Sequence, residues 1–209
     1  SSEGQFTTVH NELDDGHDSV EWAAAQPWCN GKVGMYGDSY VGATQWLAAS
    51  RKPPSLMAMA PGVTASNYHD GWTYQGGAYE LAFNLNWALN ALTTDNYDHL
   101  KRTFKLPTDG IEKLRDSVDN IAASYEYLPL TEWPDLKGEL APYYYEWLAH
   151  PEYDDYWKKV CIEEYHPQIT VPALNYGGWY DIFLGGTIRN FTRMQQLGAT
   201  ETSRNGQRL

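Results

Sequence analysis

The stretch Gly34-Met35-Tyr36-Gly37-Asp38-Ser39-Tyr40-Val41-Gly42-Ala43 constrains this chain more than any other. It sets Gly-x-Ser-x-x-Gly between two apolar elements. Upstream, residues 32–36 follow the turn-like pair Asn30-Gly31 and read as a short buried strand. Downstream, residues 40–50 are rich in small residues and helix formers and are closed by Arg51-Lys52-Pro53-Pro54. A serine at a sharp strand-to-helix bend is forced into an exposed, strained position, where its hydroxyl can act as a nucleophile. Gly37 would let the backbone bend before Ser39, and Gly42 sits where the new helix must lie close to its strand. The helix N-terminus would point backbone amides, that of Tyr40 first, at a developing oxyanion. The six-residue pattern also arises by chance, so the flanking strand and helix carry as much weight as the glycines.

The segments around this bend have the rhythm of a parallel α/β sheet. The acidic stretch Asp14-Asp15-Gly16-His17-Asp18 leads into a predicted helix over 19–26, and its charge suits the positive end of the helix dipole. Leu56-Met57-Ala58-Met59-Ala60 is a second buried strand, ended by Pro61-Gly62, and residues 63–80 read as a glycine- and aromatic-rich loop. From 81 to 164 the character changes. Helical segments at 81–92, 97–105, 110–125 and 140–149 are separated by prolines, and they read as a helical insertion. The α/β pattern returns over 165–209, with a strand at 171–176 and a helix from about 183 to 197. The expected architecture is thus an α/β core formed by 1–80 and 165–209, with 81–164 inserted.

At 209 residues the chain can bury one sizeable core. Its net charge of -12 argues against nucleic acid and anionic membrane surfaces as partners, since both attract positive charge. The 9 Trp, 16 Tyr and 5 Phe suit a large core and also an apolar ligand pocket. Trp72, Tyr74, Trp179 and Phe183 are the candidate pocket residues. Cys29 and Cys161 have no metal-ligand spacing and read as two free thiols or one disulfide. No apolar run reaches the ~18 residues of a membrane span, and Ser1 begins no signal-peptide pattern; the chain opens without an initiator Met, so the location stays open, with the cytoplasm favoured. Asn190-Phe191-Thr192 matches a glycosylation acceptor but falls on a predicted helix.

Asp181 is the second chemical signal. It follows a strand and the Gly177-Gly178 bend, at the carboxyl edge where α/β sheets place ligands. A triad in the order serine, acid, histidine needs its acid there, on a strand after the nucleophile. An Asp in this place also serves simply to cap the helix that begins near Ile182.

The stretches "DGHDSVEWAAAQPWCNGKVGMYGDSYVGATQW", "PPSLMAMAPG" and "VPALNYGGWYD" resemble the cocaine esterase group of α/β-hydrolases. That group is related to X-Pro dipeptidyl peptidases and α-amino-acid ester hydrolases. The matching stretches run from about Ser2 to Met194. The resemblance implies an α/β-hydrolase core with a helical cap, Ser39 as nucleophile, Asp181 as triad acid and the Tyr40 amide as part of the oxyanion hole. It implies a serine hydrolase of small-molecule esters that forms an acyl-enzyme and needs no metal or organic cofactor. It also implies that the catalytic His follows Leu209, that a tyrosine hydroxyl completing the oxyanion hole precedes Ser1, and that a jelly-roll domain follows. The 209-residue chain alone is therefore expected to be inactive, and self-association through uncovered sheet edges is left open. Of the six histidines in the chain, His69 is the first in-chain candidate for a substitute base.

Two other readings stand beside the esterase. One is an acylase or aminopeptidase-type hydrolase of amide or amino-acid ester substrates. The apolar Ile182-Phe183-Leu184 after Asp181 suits a neutral acyl group better than a substrate ammonium, which would be left unpaired there. The other is a catalytically incomplete piece that serves only as a folded module.

Overall fold

A computed structural model describes residues 6–94, 97–104, 110–136 and 140–209. The chain divides into two compact units, Ser1–Trp72 with Tyr153–Leu209, and Thr73–Glu152.

The first unit is built on parallel strands. Strands β1 (Val33–Asp38) and β2 (Leu56–Gly62) are joined by helix α2 (Tyr40–Ser50), and Asp38 lies opposite Gly62. On the other side of β2 runs the segment 172–176. Parallel bridges pair Met59 with Ala173 and Gly62 with Tyr176, and a further bridge pairs Leu174 with Arg208. The strand expected at 171–176 is thus present as a bridged run beside β2.

Helix α2 is the centre of the core. Ala43, Trp46, Leu47 and Ala48 have no exposed surface, and burying a large apolar side chain is worth ~1.5–3 kcal/mol. Against it packs helix α1 (Glu12–Ala24). This helix starts seven residues before the expected position and runs straight through Gly16, so the acidic stretch is its first turns and not its lead-in. Gly16 is not a turn. A Cβ there would lie 2.7 Å from the Cβ of Ala48, so the missing side chain is what lets the two helices touch.

Helices α8 (Asp155–Lys158), α9 (Ile162–Tyr165), α10 (Leu184–Leu197) and α11 (Glu201–Asn205) complete the unit. His166 is fully buried, edge-on to Trp46, and its Nε2 lies 3.0 Å from Asn190 Oδ1. The Asn190 amide group donates to the Ala65 carbonyl, which leaves Oδ1 as the acceptor and the His166 Nε2–H as the donor. Burial pushes the His166 pKa down, so the ring is held neutral. Asn190 has no exposed surface, which disqualifies its sequon as a glycan site.

The second unit opens with a hairpin where the sequence reads as loop. Strands β3 (Tyr74–Gln75) and β4 (Ala78–Tyr79) are joined by Gly76 and Gly77 at φ +58° and +85°. A two-residue hairpin turn of this kind requires positive φ at both positions. Helix α3 (Leu81–Trp87) passes into a π-helical turn over Ala88–Thr94, and α4 (Tyr97–Phe104) follows. Lys105, the last residue of that expected helix, lies outside the described residues, as do residues 1–5. The expected helix over 110–125 is two, α5 (Gly110–Asp119) and α6 (Ile121–Tyr125), broken at Asn120 with φ -106° and ψ 36°. Helix α7 (Pro142–Ala149) carries Trp147, whose ring stacks on Trp87 at 6.0 Å and whose carbonyl accepts from the Tyr74 hydroxyl. Among the described residues, no helix is long and apolar enough to cross a membrane.

Candidate active site

Ser39 stands between β1 and α2 with φ 58° and ψ -125°. Such angles cost a non-glycine residue of order 1–3 kcal/mol and persist only where the surroundings enforce them. The enforcement is visible. The Ser39 amide donates to the Gly62 carbonyl at 3.0 Å, and the Ser39 carbonyl accepts from the amides of Gly42 and Ala43, also at 3.0 Å. Gly37 has φ +142°, and a Cβ on it would meet Val41 at 2.6 Å. A Cβ on Gly42 would lie 2.5 Å from the Gly62 oxygen, the atom that anchors Ser39. Both glycines of Gly-x-Ser-x-x-Gly are therefore required by contact, and Gly37 by its angle as well. Gln45, buried one turn into α2, donates to the carbonyls of Gly37 and Val41 and accepts from the Ala60 amide. It braces the bend against both strands. Sequence reasoning missed it, although a glutamine inside an otherwise apolar helix was a signal. Ser39 itself is exposed, and its hydroxyl has no hydrogen-bond partner among the described residues.

Tyr40 opens α2, so its amide is the first of the helix N-terminus. Its side chain turns back into the protein. The phenol donates to Glu12 Oε1 at 2.8 Å and accepts from the Val9 amide at 2.9 Å. Burial, and after it the Glu12 charge, push the phenol pKa far above its ordinary value.

Asp181 lies in the turn between the 172–176 segment and α10. Its amide donates to the Gly178 carbonyl and its Oδ1 accepts from the Phe183 amide at 2.8 Å. Its Oδ2 is buried and has no hydrogen-bond partner among the described residues. A Cβ on Gly177 would stand 3.3 Å from that oxygen, so the glycine keeps the space beside it clear. Helix α10 begins at Leu184 after an N-cap, Phe183, that makes no side-chain capping bond. Asp181 therefore shapes the turn ahead of the helix without capping it.

The register puts both turns on one edge of the sheet. Asp38 is opposite Gly62 and Gly62 is bridged to Tyr176, so Ser39 and Asp181 both follow the carboxyl ends of neighbouring parallel segments. The Tyr176 hydroxyl donates to the Asp38 carboxylate, joining the residue before Ser39 to the run that leads to Asp181. Gly62 makes this possible: a Cβ on it would meet the Tyr176 ring at 2.3 Å.

The candidate pocket residues are placed differently from one another. Trp72 and Phe183 are buried and stacked, with centroids 4.3 Å apart and planes 16° from parallel. Trp179 is 91% exposed. Tyr74 belongs to the helical unit, where it is buried. The His69 ring packs against Tyr153 and Trp157 at 5.9 and 5.6 Å. Cys29 and Cys161 are free, and burial pushes the Cys161 thiol pKa up, away from thiolate chemistry. Among the described residues no group of three or more His, Cys, Asp or Glu could hold a metal ion.

The chain is 32% identical over 202 residues to cocaine esterase from Rhodococcus sp. (strain MB1 Bresler), covering 93% of this chain and 34% of that protein. A CocE/NonD family hydrolase from Staphylococcus aureus superposes with a TM-score of 0.63 at 24% identity, over 96% of this chain and 29% of the other. An aminopeptidase from a marine sediment Thaumarchaeota archaeon superposes with a TM-score of 0.50 at 22% identity, over 89% of this chain and 30% of the other. These hydrolases have the α/β-hydrolase fold, with which the parallel segments and helices of this chain are consistent, and the chain spans about a third of the length of these relatives. The family model for the X-Pro dipeptidyl-peptidase (S15 family) matches residues 1–207, and the chain belongs to that family.

Proposed function

We propose that this chain carries the nucleophile and the acid of a serine hydrolase acting on carboxylic esters. The observation that carries the reading is the enforced geometry of Ser39: exposed, at φ 58° and ψ -125°, between a strand and a helix N-terminus. Ser39 Oγ attacks the acyl carbon and passes its proton to an imidazole. The negative charge on the former carbonyl oxygen is met by the Tyr40 amide. Collapse breaks the ester bond, the imidazole returns the proton to the leaving alcohol, and water then releases the acyl group from Ser39. Asp181 orients the imidazole and stabilises its charged form. Its partnerless Oδ2 supports this role, since a buried carboxylate oxygen without a donor is costly unless a ring N–H or similar group fills it. The base is assigned to a histidine outside residues 1–209.

The test is a panel of p-nitrophenyl esters, a peptide amide and an amino-acid ester presented to the full-length protein. Ester turnover that is lost in Ser39→Ala, with covalent labelling of Ser39 by a fluorophosphonate, is the expected result. Preferred cleavage of the amide or amino-acid ester would move the substrate class to the peptidase side of the family. Full activity in Ser39→Ala would overturn the reading.

A further inference from the structure

We propose that Glu12 is a positioning residue for the oxyanion-hole amide of Tyr40, acting through the Tyr40 side chain; the proposal rests on the Ser39 reading above. A backbone donor is aimed by whatever holds its peptide plane. The plane between Ser39 and Tyr40 is set by the ψ of Ser39, -125°, and Ser39 is a strained residue. Relaxing that strain would rotate ψ and swing the Tyr40 N–H away from the place where the oxyanion develops. The Gly62 carbonyl grips the elbow on the amide side of Ser39. On the other side, the peptide plane leads directly into Tyr40.

The Tyr40 side chain is fixed at its far end. Its hydroxyl is saturated in both senses, donating to Glu12 Oε1 at 2.8 Å and accepting the Val9 amide at 2.9 Å. Neither partner is a passive surface group. Glu12 sits in the first turn of α1, which is locked against α2 where Gly16 meets Ala48. Val9 is itself held at φ +60°, in the left-handed region that valine rarely adopts. The chain thus bends unfavourably at Val9 and presents its amide to the Tyr40 oxygen. Two strained residues, Val9 and Ser39, bracket one tyrosine, and Glu12 supplies the charge-assisted bond that closes the arrangement. With burial and the Glu12 charge raising the phenol pKa, the hydroxyl remains a donor throughout the working pH range.

The residues have distinct roles. The Tyr40 amide touches the reacting oxygen, whereas Glu12 and the Tyr40 phenol touch no substrate atom. Removing their bond should therefore weaken transition-state binding while leaving ground-state binding largely alone.

The experiment compares Glu12→Ala, Glu12→Gln and Tyr40→Phe in the full-length protein. Glu12→Gln keeps an amide oxygen to accept the phenol proton, and Tyr40→Phe keeps the ring but not the hydroxyl. The expected result for Glu12→Ala is a fall in kcat of about tenfold or more with KM within about twofold, short of the roughly 10²–10³ that outright loss of an oxyanion donor costs. Affinity for an arylboronic acid, whose adduct on Ser39 places an oxygen in the hole, should fall in parallel. Tyr40→Phe should match it, the double variant should be no worse than either, and Glu12→Gln should recover most of the rate. If Glu12→Ala does not fold, Tyr40→Phe with its boronate affinity decides alone. Unchanged kcat and boronate affinity in that variant, while Ser39→Ala is inactive, would overturn the proposal and leave the Ser39 reading intact. A rise in KM with kcat preserved would overturn it equally.

Discussion

Asp181 takes the Phe183 amide on Oδ1 at 2.8 Å, while its Oδ2 is buried without a hydrogen-bond partner among the described residues. One oxygen shapes the turn and the other is left for a donor. Asp181→Asn keeps an oxygen for the Phe183 amide but can no longer hold an imidazole N–H in the required tautomer. In the full-length protein, ester turnover should fall by about 10⁴, with a melting temperature near that of the wild type. Asp181→Ala should lose the turn bond too and be measurably less stable. An unchanged rate for Asp181→Asn would remove Asp181 from the mechanism.

Gly42→Ala tests the grip on the elbow. The new methyl group would sit 2.5 Å from the Gly62 oxygen that accepts the Ser39 amide. Overpacking of this kind costs typically about 1–3 kcal/mol. Stability in urea and ester kcat should fall together, because the displaced atom is the anchor of Ser39. A loss of stability with full kcat would show that the nucleophile is held from elsewhere.

Gly16 and Ala48 form a complementary pair at 2.7 Å for a Cβ placed on the glycine. Gly16→Ala should gain up to about 1 kcal/mol of helix propensity and still lose stability on balance, since α1 and α2 must separate. The swap Gly16→Ala with Ala48→Gly should recover most of that loss, a coupling that a double-mutant cycle reads directly. Additive effects would mean that the two helices do not meet at this point.

His166 gives the fold a dependence on acid. Its pKa is lowered below the ordinary 6.5 by burial, so below pH 6.5 the unfolded chain takes up a proton that the folded chain refuses. The contribution of neutral His166 is complete above pH 6.5 and is lost as the pH falls toward the folded value, at up to about 1.4 kcal/mol per pH unit. His166→Gln retains a donor for Asn190 and cannot titrate. Denaturant midpoints from pH 8 to pH 5 should fall less steeply in that variant than in the wild type. Parallel slopes would show that His166 takes up its proton in the folded state.

What the sequence revealed was mostly local. Gly37 announces the bend because its angle and its contact with Val41 act within a few residues of Ser39, whereas the nearest atom behind Gly42, the Gly62 oxygen, comes from the next strand. The Gly76-Gly77 hairpin was equally local, and it was lost among the aromatic residues around it. Gly16 was misread as the lead-in to a helix because its reason, Ala48, lies on another helix. Glu12 and Val9 gave no signal at all. Their significance depends on Tyr40, and nothing in the spacing of the three residues says that a phenol will turn back toward them. Asp181 was legible as a residue type at a sheet edge, while the different fates of its two oxygens depend on Gly177 and Phe183 in three dimensions.

Gly62 closes two chain loops of very different size. It meets Asp38 across a short connection, through α2, and Tyr176 across a long one that contains the whole of Thr73–Glu152. Closure entropy grows only logarithmically, by about 0.6 kcal/mol for each doubling of length, so the long loop costs little more than the short one. The search for it is slower, since contacts distant in sequence form later than near ones. The bend at Ser39 can therefore assemble from a single contiguous stretch, with the Asp181 turn arriving afterwards. The same logarithm means that the intervening helices can be lengthened, trimmed or exchanged at almost no thermodynamic cost to the pairing on which both turns depend.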